Sequence, residues 1–130
     1  MFLYFPCRPQ PVSTVSEIRQ GQVYWLDFGP ATGSAPAERH PCVVVQNDIF
    51  NRSAIATSVV CLITSNLSRA KAPGNVLLKE GEASLPKASV VNVSQILTVD
   101  KAELAECIGT LSATAAAAVR DGLHMLFDRL

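Results

Sequence analysis

Apolar positions recur at two different periods along this chain, and the point where the period changes divides it. Up to about residue 111 they come as short runs rich in Val, Ile and aromatic residues, bounded by Gly, Pro, Asn and Ser, which is a strand pattern. Gln22-Val23-Tyr24-Trp25-Leu26-Asp27-Phe28 predicts a strand that Gly29-Pro30 ends, and Pro41 to Gln46 predicts a second. Asn47-Asp48 can cap one short helical turn through Asn51. Thr57 to Ile63 predicts a strand buried on both faces, closing on Thr64-Ser65-Asn66. Pro73-Gly74 turns the chain into a shorter strand, Asn75 to Leu78. Ser89 to Val93 follows, extended or bent by Gln95-Ile96-Leu97, and Cys107 to Leu111 is the last strand.

From Ser112 the period becomes helical. Val119, Leu123, Leu126 and Leu130 lie on one stripe, with Arg120, Asp121, His124 and Asp128 opposite, so an amphipathic helix from about Ser112 to Arg129 is expected to dock through those four apolar side chains. Strands joined by short links, with one helix at the end, imply a mainly β, α+β architecture: an antiparallel sheet curling toward a small barrel with the helix over an opening. Residues 1 to 18 show neither period, carry several prolines, and are expected to form a disordered extension before a single domain spanning 19 to 130.

Composition narrows the class. At 130 residues, 48% apolar and 17% charged, the chain fits one soluble globular domain. No apolar run approaches the roughly 20 residues of a membrane helix, and the opening Met1 to Phe5 lacks preceding basic residues and is stopped by Pro6, so a cytoplasmic protein is expected. Cys7, Cys42, Cys61 and Cys107 form no C-x-x-C pair, which argues against a zinc site, and a disulfide framework is not expected in that compartment. There is no P-loop and no nucleophile elbow.

The formal charge is zero, but it is unevenly spread: residues 39 to 79 carry Arg39, Arg52, Arg69, Lys71 and Lys79 against Asp48 alone, enough for one basic face. Within that stretch, Gly33 to Pro41 reads as an exposed loop feeding the strand Cys42-Val43-Val44-Val45. Arg39 and His40 therefore sit where a rigid sheet presents a loop.

These segments, taken in order, carry a resemblance. Gly21-Gln22-Val23-Tyr24-Trp25, Gly33-Ser34, the Arg39-His40-Pro41 step into Val43 to Asp48, Leu62-Ile63-Thr64-Ser65, Pro73-Gly74-Asn75-Val76, Ser89-Val90-Val91 and Thr98-Val99-Asp100-Lys101 together resemble the MazF/PemK toxins of bacterial type II toxin–antitoxin systems. The resemblance implies an SH3-like barrel, a homodimer, metal-independent cleavage of single-stranded RNA at short motifs without a cofactor, and a cognate antitoxin lying in the RNA groove, with DNA bound only through the antitoxin complex. It places the family's basic catalytic residue before the proline at His40, its catalytic Thr or Ser at Thr64, and its Gly-Ser loop at Ser34. The family's arginine is His40 here, and its glutamate after Gly-Ser is Ala35. The alternative of another class is a non-catalytic protein of this fold that binds an antitoxin or poisons a protein target such as a topoisomerase.

The chemistry asks for little machinery. RNA carries its own nucleophile, the 2′-hydroxyl; an enzyme adds proton transfer and donors for the growing charge on the phosphate. A histidine can move a proton near neutral pH, an arginine can hold a phosphate, and hydroxyls can donate hydrogen bonds, so His40, Arg39 and Thr64 are the catalytic candidates. Ser34, Ser65, Arg52, Arg69, Lys71 and Gln95 are the RNA-contacting candidates. Successive side chains of an extended segment face opposite ways, so one of Arg39 and His40 should dominate, and the position before the proline favours His40.

Overall fold

The computed structural model describes residues 17–28 and 38–130. Six strands, β1 (Gln22–Asp27), β2 (Arg39–Val44), β3 (Thr57–Thr64), β4 (Val76–Leu78), β5 (Ser89–Asp100) and β6 (Glu106–Thr110), form one antiparallel sheet in the order β4-β5-β3-β2-β1-β6. Helix α1 (Asp48–Asn51) links β2 to β3, and α2 (Ala113–Leu126) closes the chain.

The central strands read as unbroken apolar runs because the sheet buries both faces. Val23, Val43, Cys61, Ile63, Val91 and Val93 face one cluster, which α2 covers with Val119. Their neighbours Tyr24, Cys42, Val44 and Val60 face a second cluster with Leu26, Val99, Ile18 and Leu104. Ile18 is thus part of the core, although it falls within the stretch expected to be an extension; residues 1–16 lie outside the described residues.

Burial pushes the Cys42 thiol up to about 12 and the Cys61 thiol up to about 11. Both are free, small apolar fillers. Cys107 departs from expectation in being disulfide-bonded.

Two details of the strands shape the site. Strand β2 begins at Arg39, so Arg39 and His40 belong to the sheet and not to the preceding loop. Phe28 N–H donates to Glu38 O at 2.9 Å, and alternation from there makes Trp25–Pro41 a non-hydrogen-bonded pair. The ladder to β3 starts only at Cys42, so the N–H that Pro41 lacks is missed on neither side. The second detail is in β5, which is one continuous strand. Its pairing with β3 slips between Cys61, opposite Ile96, and Leu62, opposite Asn92, leaving Val93, Ser94 and Gln95 as a bulge.

Helix α2 starts as expected, with Ser112 Oγ accepting from Ala115 N–H at 3.2 Å, but it stops at Leu126. Val119 is buried and Leu123 partly so, whereas Leu126 and Leu130 are exposed, contrary to the expected docking stripe. The reason is where the sheet ends. Gly122 already meets Gly74, in the turn before edge strand β4, so the last helical turn overhangs.

Candidate active site

The strand alternation separates Arg39 from His40. Arg39 turns to the face of Trp25 and Asp27: its Nε lies 3.2 Å from Asp27 Oδ1, its Nη2 2.7 Å from Glu106 Oε1, and its guanidinium carbon 4.8 Å from the Trp25 ring centroid. It fastens β2 to β1 and β6. His40 turns the other way, opposite Leu26, with Phe28 edge-on at a centroid distance of 5.4 Å and its Nε2 3.6 Å from Glu38 Oε2. Glu38 and Phe28 were not singled out from the sequence. For Glu38 the signal was there, since it is two positions from His40 in an extended segment and hence on its face; Phe28 comes beside them only through its cross-strand pairing with Glu38.

Thr64 closes β3. Cys42 is opposite Leu62, and continuing that register sets His40 opposite Thr64 beyond the last paired residue. The two side chains therefore belong to one face, on adjacent strands, where β2 and β3 part. Thr64 Oγ1 accepts from Asn66 N–H at 3.1 Å, and Asn66 Oδ1 in turn accepts from Ser68 N–H at 3.2 Å and from Ser68 Oγ at 2.7 Å. These bonds start a short 3-10 turn, Leu67–Lys71, that carries Arg69 and Lys71 in its last turn. Ser65 is exposed at its entrance.

On the far side of Thr64 lies β5. Asn92 faces Leu62 across the ladder, which puts its side chain on the Thr64 face; it is 7% exposed. Its Nδ2 donates to Gln95 Oε1 at 3.0 Å, and its Oδ1 accepts from Ser94 Oγ at 3.1 Å and from Asn75 Nδ2 at 3.3 Å. Asn75 also donates to Arg69 O at 2.9 Å and accepts from the bulge N–H of Val93 at 2.9 Å, so one side chain ties the 3-10 turn to the bulge.

The structure therefore places His40 and Thr64 on one face, with Ser65 and the turn carrying Arg69 and Lys71 directly after Thr64, and ties Gln95 to this group through Asn92 from the β5 bulge, further along the sheet. Arg39 stands behind them on the opposite face. Arg52 lies at the other end of β2 and β3, capping α1, and is not brought into the group. Ser34 and Ala35 lie outside the described residues. No group of three or more His, Cys, Asp and Glu side chains placed to hold a metal occurs among the described residues, and no helix there is long and apolar enough to cross a membrane.

Comparison with known proteins identifies the family. The sequence profile of the PemK-like, MazF-like toxins of type II toxin–antitoxin systems matches residues 19–127. Endoribonuclease MazF2 of Mycobacterium bovis is 41% identical over 111 residues, covering 85% of this chain and 97% of the relative, and endoribonuclease MazF6 of Mycobacterium tuberculosis matches to the same extent. Among solved structures, a mycobacterial endoribonuclease in complex with its cognate antitoxin superposes with a TM-score of 0.71 at 24% identity, covering 87% of this chain and 97% of that one. MazF of Deinococcus radiodurans gives a TM-score of 0.62 at 28% identity, covering 84% and 94%. The chain belongs to the PemK-like, MazF-like toxins of type II toxin–antitoxin systems, and its activity is that of an endoribonuclease.

Proposed function

We propose that this toxin cleaves single-stranded RNA by way of the substrate's own 2′-hydroxyl, with His40 moving the proton and Thr64 steadying the phosphate. In this reading His40 takes the 2′-hydroxyl proton, the freed oxygen attacks the adjacent phosphorus, and the bond to the 5′ oxygen breaks. The leaving oxygen collects a proton from water, and a 2′,3′-cyclic phosphate and a 5′-hydroxyl remain. The Thr64 and Ser65 hydroxyls with the Arg69 and Lys71 cations meet the charge on the phosphate. No step calls for a metal or a cofactor, since the nucleophile comes with the substrate.

The observation that carries this reading is the shared face of His40 and Thr64 beside the basic 3-10 turn, with Arg39 held on the other face by Asp27, Glu106 and Trp25. Arg39 is accordingly assigned to the scaffold and not to the phosphate.

By the same family membership the toxin works in the cytoplasm as a homodimer and is held inactive by a cognate antitoxin, as the antitoxin complexes of its structural relatives suggest. DNA is then reached only through that antitoxin. The test is incubation of the purified protein with a long RNA in excess chelator. Cleavage with cyclic phosphate and 5′-hydroxyl ends is expected; products bearing a 5′-phosphate, or activity abolished by the chelator, would overturn the mechanism.

A further inference from the structure

The side-chain amides beside Thr64 form a relay whose direction is set by backbone groups that have no freedom to reverse. Val93 N–H can only donate, so the Asn75 atom it meets at 2.9 Å is the oxygen. Arg69 C=O can only accept, so the Asn75 atom it meets at 2.9 Å is the nitrogen. The same Asn75 nitrogen faces Asn92 at 3.3 Å, which makes the Asn92 atom there its oxygen, and Ser94 Oγ donates to that oxygen as well at 3.1 Å. Asn92 is then left with its amide nitrogen for Gln95, and Gln95 must answer with Oε1, at 3.0 Å. The Gln95 Nε2, with its two N–H groups, is turned outward, and it has no hydrogen-bond partner among the described residues.

Gln95 is exposed on the β5 bulge, held by Asn92 on the face that carries Thr64. Resting on the reading of this face as the RNA-cleaving site, we propose that Gln95 reads one base next to the scissile bond as a fixed hydrogen-bond donor, and so selects a keto base, uracil or guanine, over an amino base, cytosine or adenine. The exocyclic oxygens, O4 of uracil and O6 of guanine, accept the outward N–H. Cytosine and adenine present an amino group at the same edge, and two donors meet without a bond. A free glutamine could rotate its amide and accept from an amino group equally well. The relay from Val93 and Arg69 through Asn75 and Asn92 prevents that rotation, which makes Asn75 and Asn92 positioning residues for the choice of base.

The test uses the full-length toxin on RNAs that differ in one base at a time around the cut. The unchanged protein is expected to favour keto over amino bases at one position by about tenfold or more, as the loss of one hydrogen bond and the stranding of a donor predict. Gln95→Glu, which only accepts at neutral pH, should reverse the preference at that position and leave the other positions alone. Gln95→Ala should level it. Asn75→Asp, whose carboxylate only accepts, should turn Asn92 over to donate to it and Gln95 over in its turn, so that the preference shifts toward amino bases with Gln95 still in place, which a merely structural role for Asn75 would not do, and thermal unfolding of each variant separates a changed preference from a changed fold. Unaltered preferences in Gln95→Glu and Gln95→Ala would overturn the inference while leaving the endoribonuclease reading intact. If both variants cut nothing, binding of RNAs blocked by a 2′-deoxy sugar at the cut, carrying uracil or cytosine at that position, supplies the same comparison. An unchanged protein that cuts no RNA would overturn the endoribonuclease reading, and this inference with it.

Discussion

A strand turns neighbouring residues of similar chemistry to opposite faces, as it does Arg39 and His40, and the proposed mechanism gives the two opposite jobs. His40→Ala should lower the cleavage rate by about two to four orders of magnitude, the usual worth of a positioned proton-transfer group. Arg39→Ala should cost far less in rate, and little in stability, because its ion pairs are exposed and such pairs contribute about 0–1 kcal/mol each. His40→Arg restores the family's common residue at this position and should remain active with a flatter dependence on pH, since a guanidinium keeps its charge where an imidazole loses it. Rates of the three variants on one RNA at two pH values check the ranking. A fully active His40→Ala beside an inert Arg39→Ala would reverse the assignment.

At the level of elements, the turn Pro73-Gly74-Asn75 is a junction between helix and site. On one side Gly122 of α2 leaves room for it: a Cβ at Gly122 would sit 2.1 Å from Gly74 O and 3.1 Å from Val93 Cγ1. Gly74 has φ +76°, the left-handed region that suits glycine, so the turn cannot readily give way. On its other side Asn75 holds the 3-10 turn and the bulge. Helix propensity alone favours Gly122→Ala by about 1 kcal/mol. Crowding against the Gly74 carbonyl outweighs that, and the substitution should destabilise the protein by roughly 1–3 kcal/mol in denaturant unfolding. Cleavage should fall as well, because the displaced turn carries Asn75 with it. A stabilised Gly122→Ala protein would show that the helix can shift without cost.

For the molecule as a whole, the exposed end of α2 is the outstanding surface. Met125, Leu126, Phe127 and Leu130 are all open to solvent within one short segment. Apolar side chains gathered in that way mark an interaction surface, and the proposed homodimer is their natural use. Light scattering at micromolar concentration should report twice the 13.9 kDa chain mass. Replacing Leu126 and Phe127 together by Ser should shift the protein toward monomer without unfolding it, since neither side chain is buried in the single chain. A wild-type monomer across the micromolar range would leave this surface to another partner.

Sequence alone determined the elements of the folded domain, because hydrophobic period, turn residues and caps act over a few positions. The strands at Gln22, Thr57 and Ser89, the short helix after Asn47 and the cap at Ser112 all came from such local signals. The pairing of His40 with Thr64 as candidates came instead from the resemblance to the toxin family. What lay between distant segments was left to the tertiary structure. Arg39 became a fastener only when β1 and β6 brought Asp27 and Glu106 beside it. Leu126 and Leu130 have the sequence spacing of a buried helical stripe, yet Leu126 is exposed in the last turn and Leu130 lies beyond the helix, because spacing records neither where the helix stops nor where the sheet beneath it ends. Arg52 counted toward a basic face by charge, while the course of β2 and β3 carried it to the far end of the sheet. The Asn75–Asn92–Gln95 relay was illegible in the sequence, since its direction depends on Val93 and Arg69 backbone groups that only the slipped β3–β5 register brings within hydrogen-bond reach.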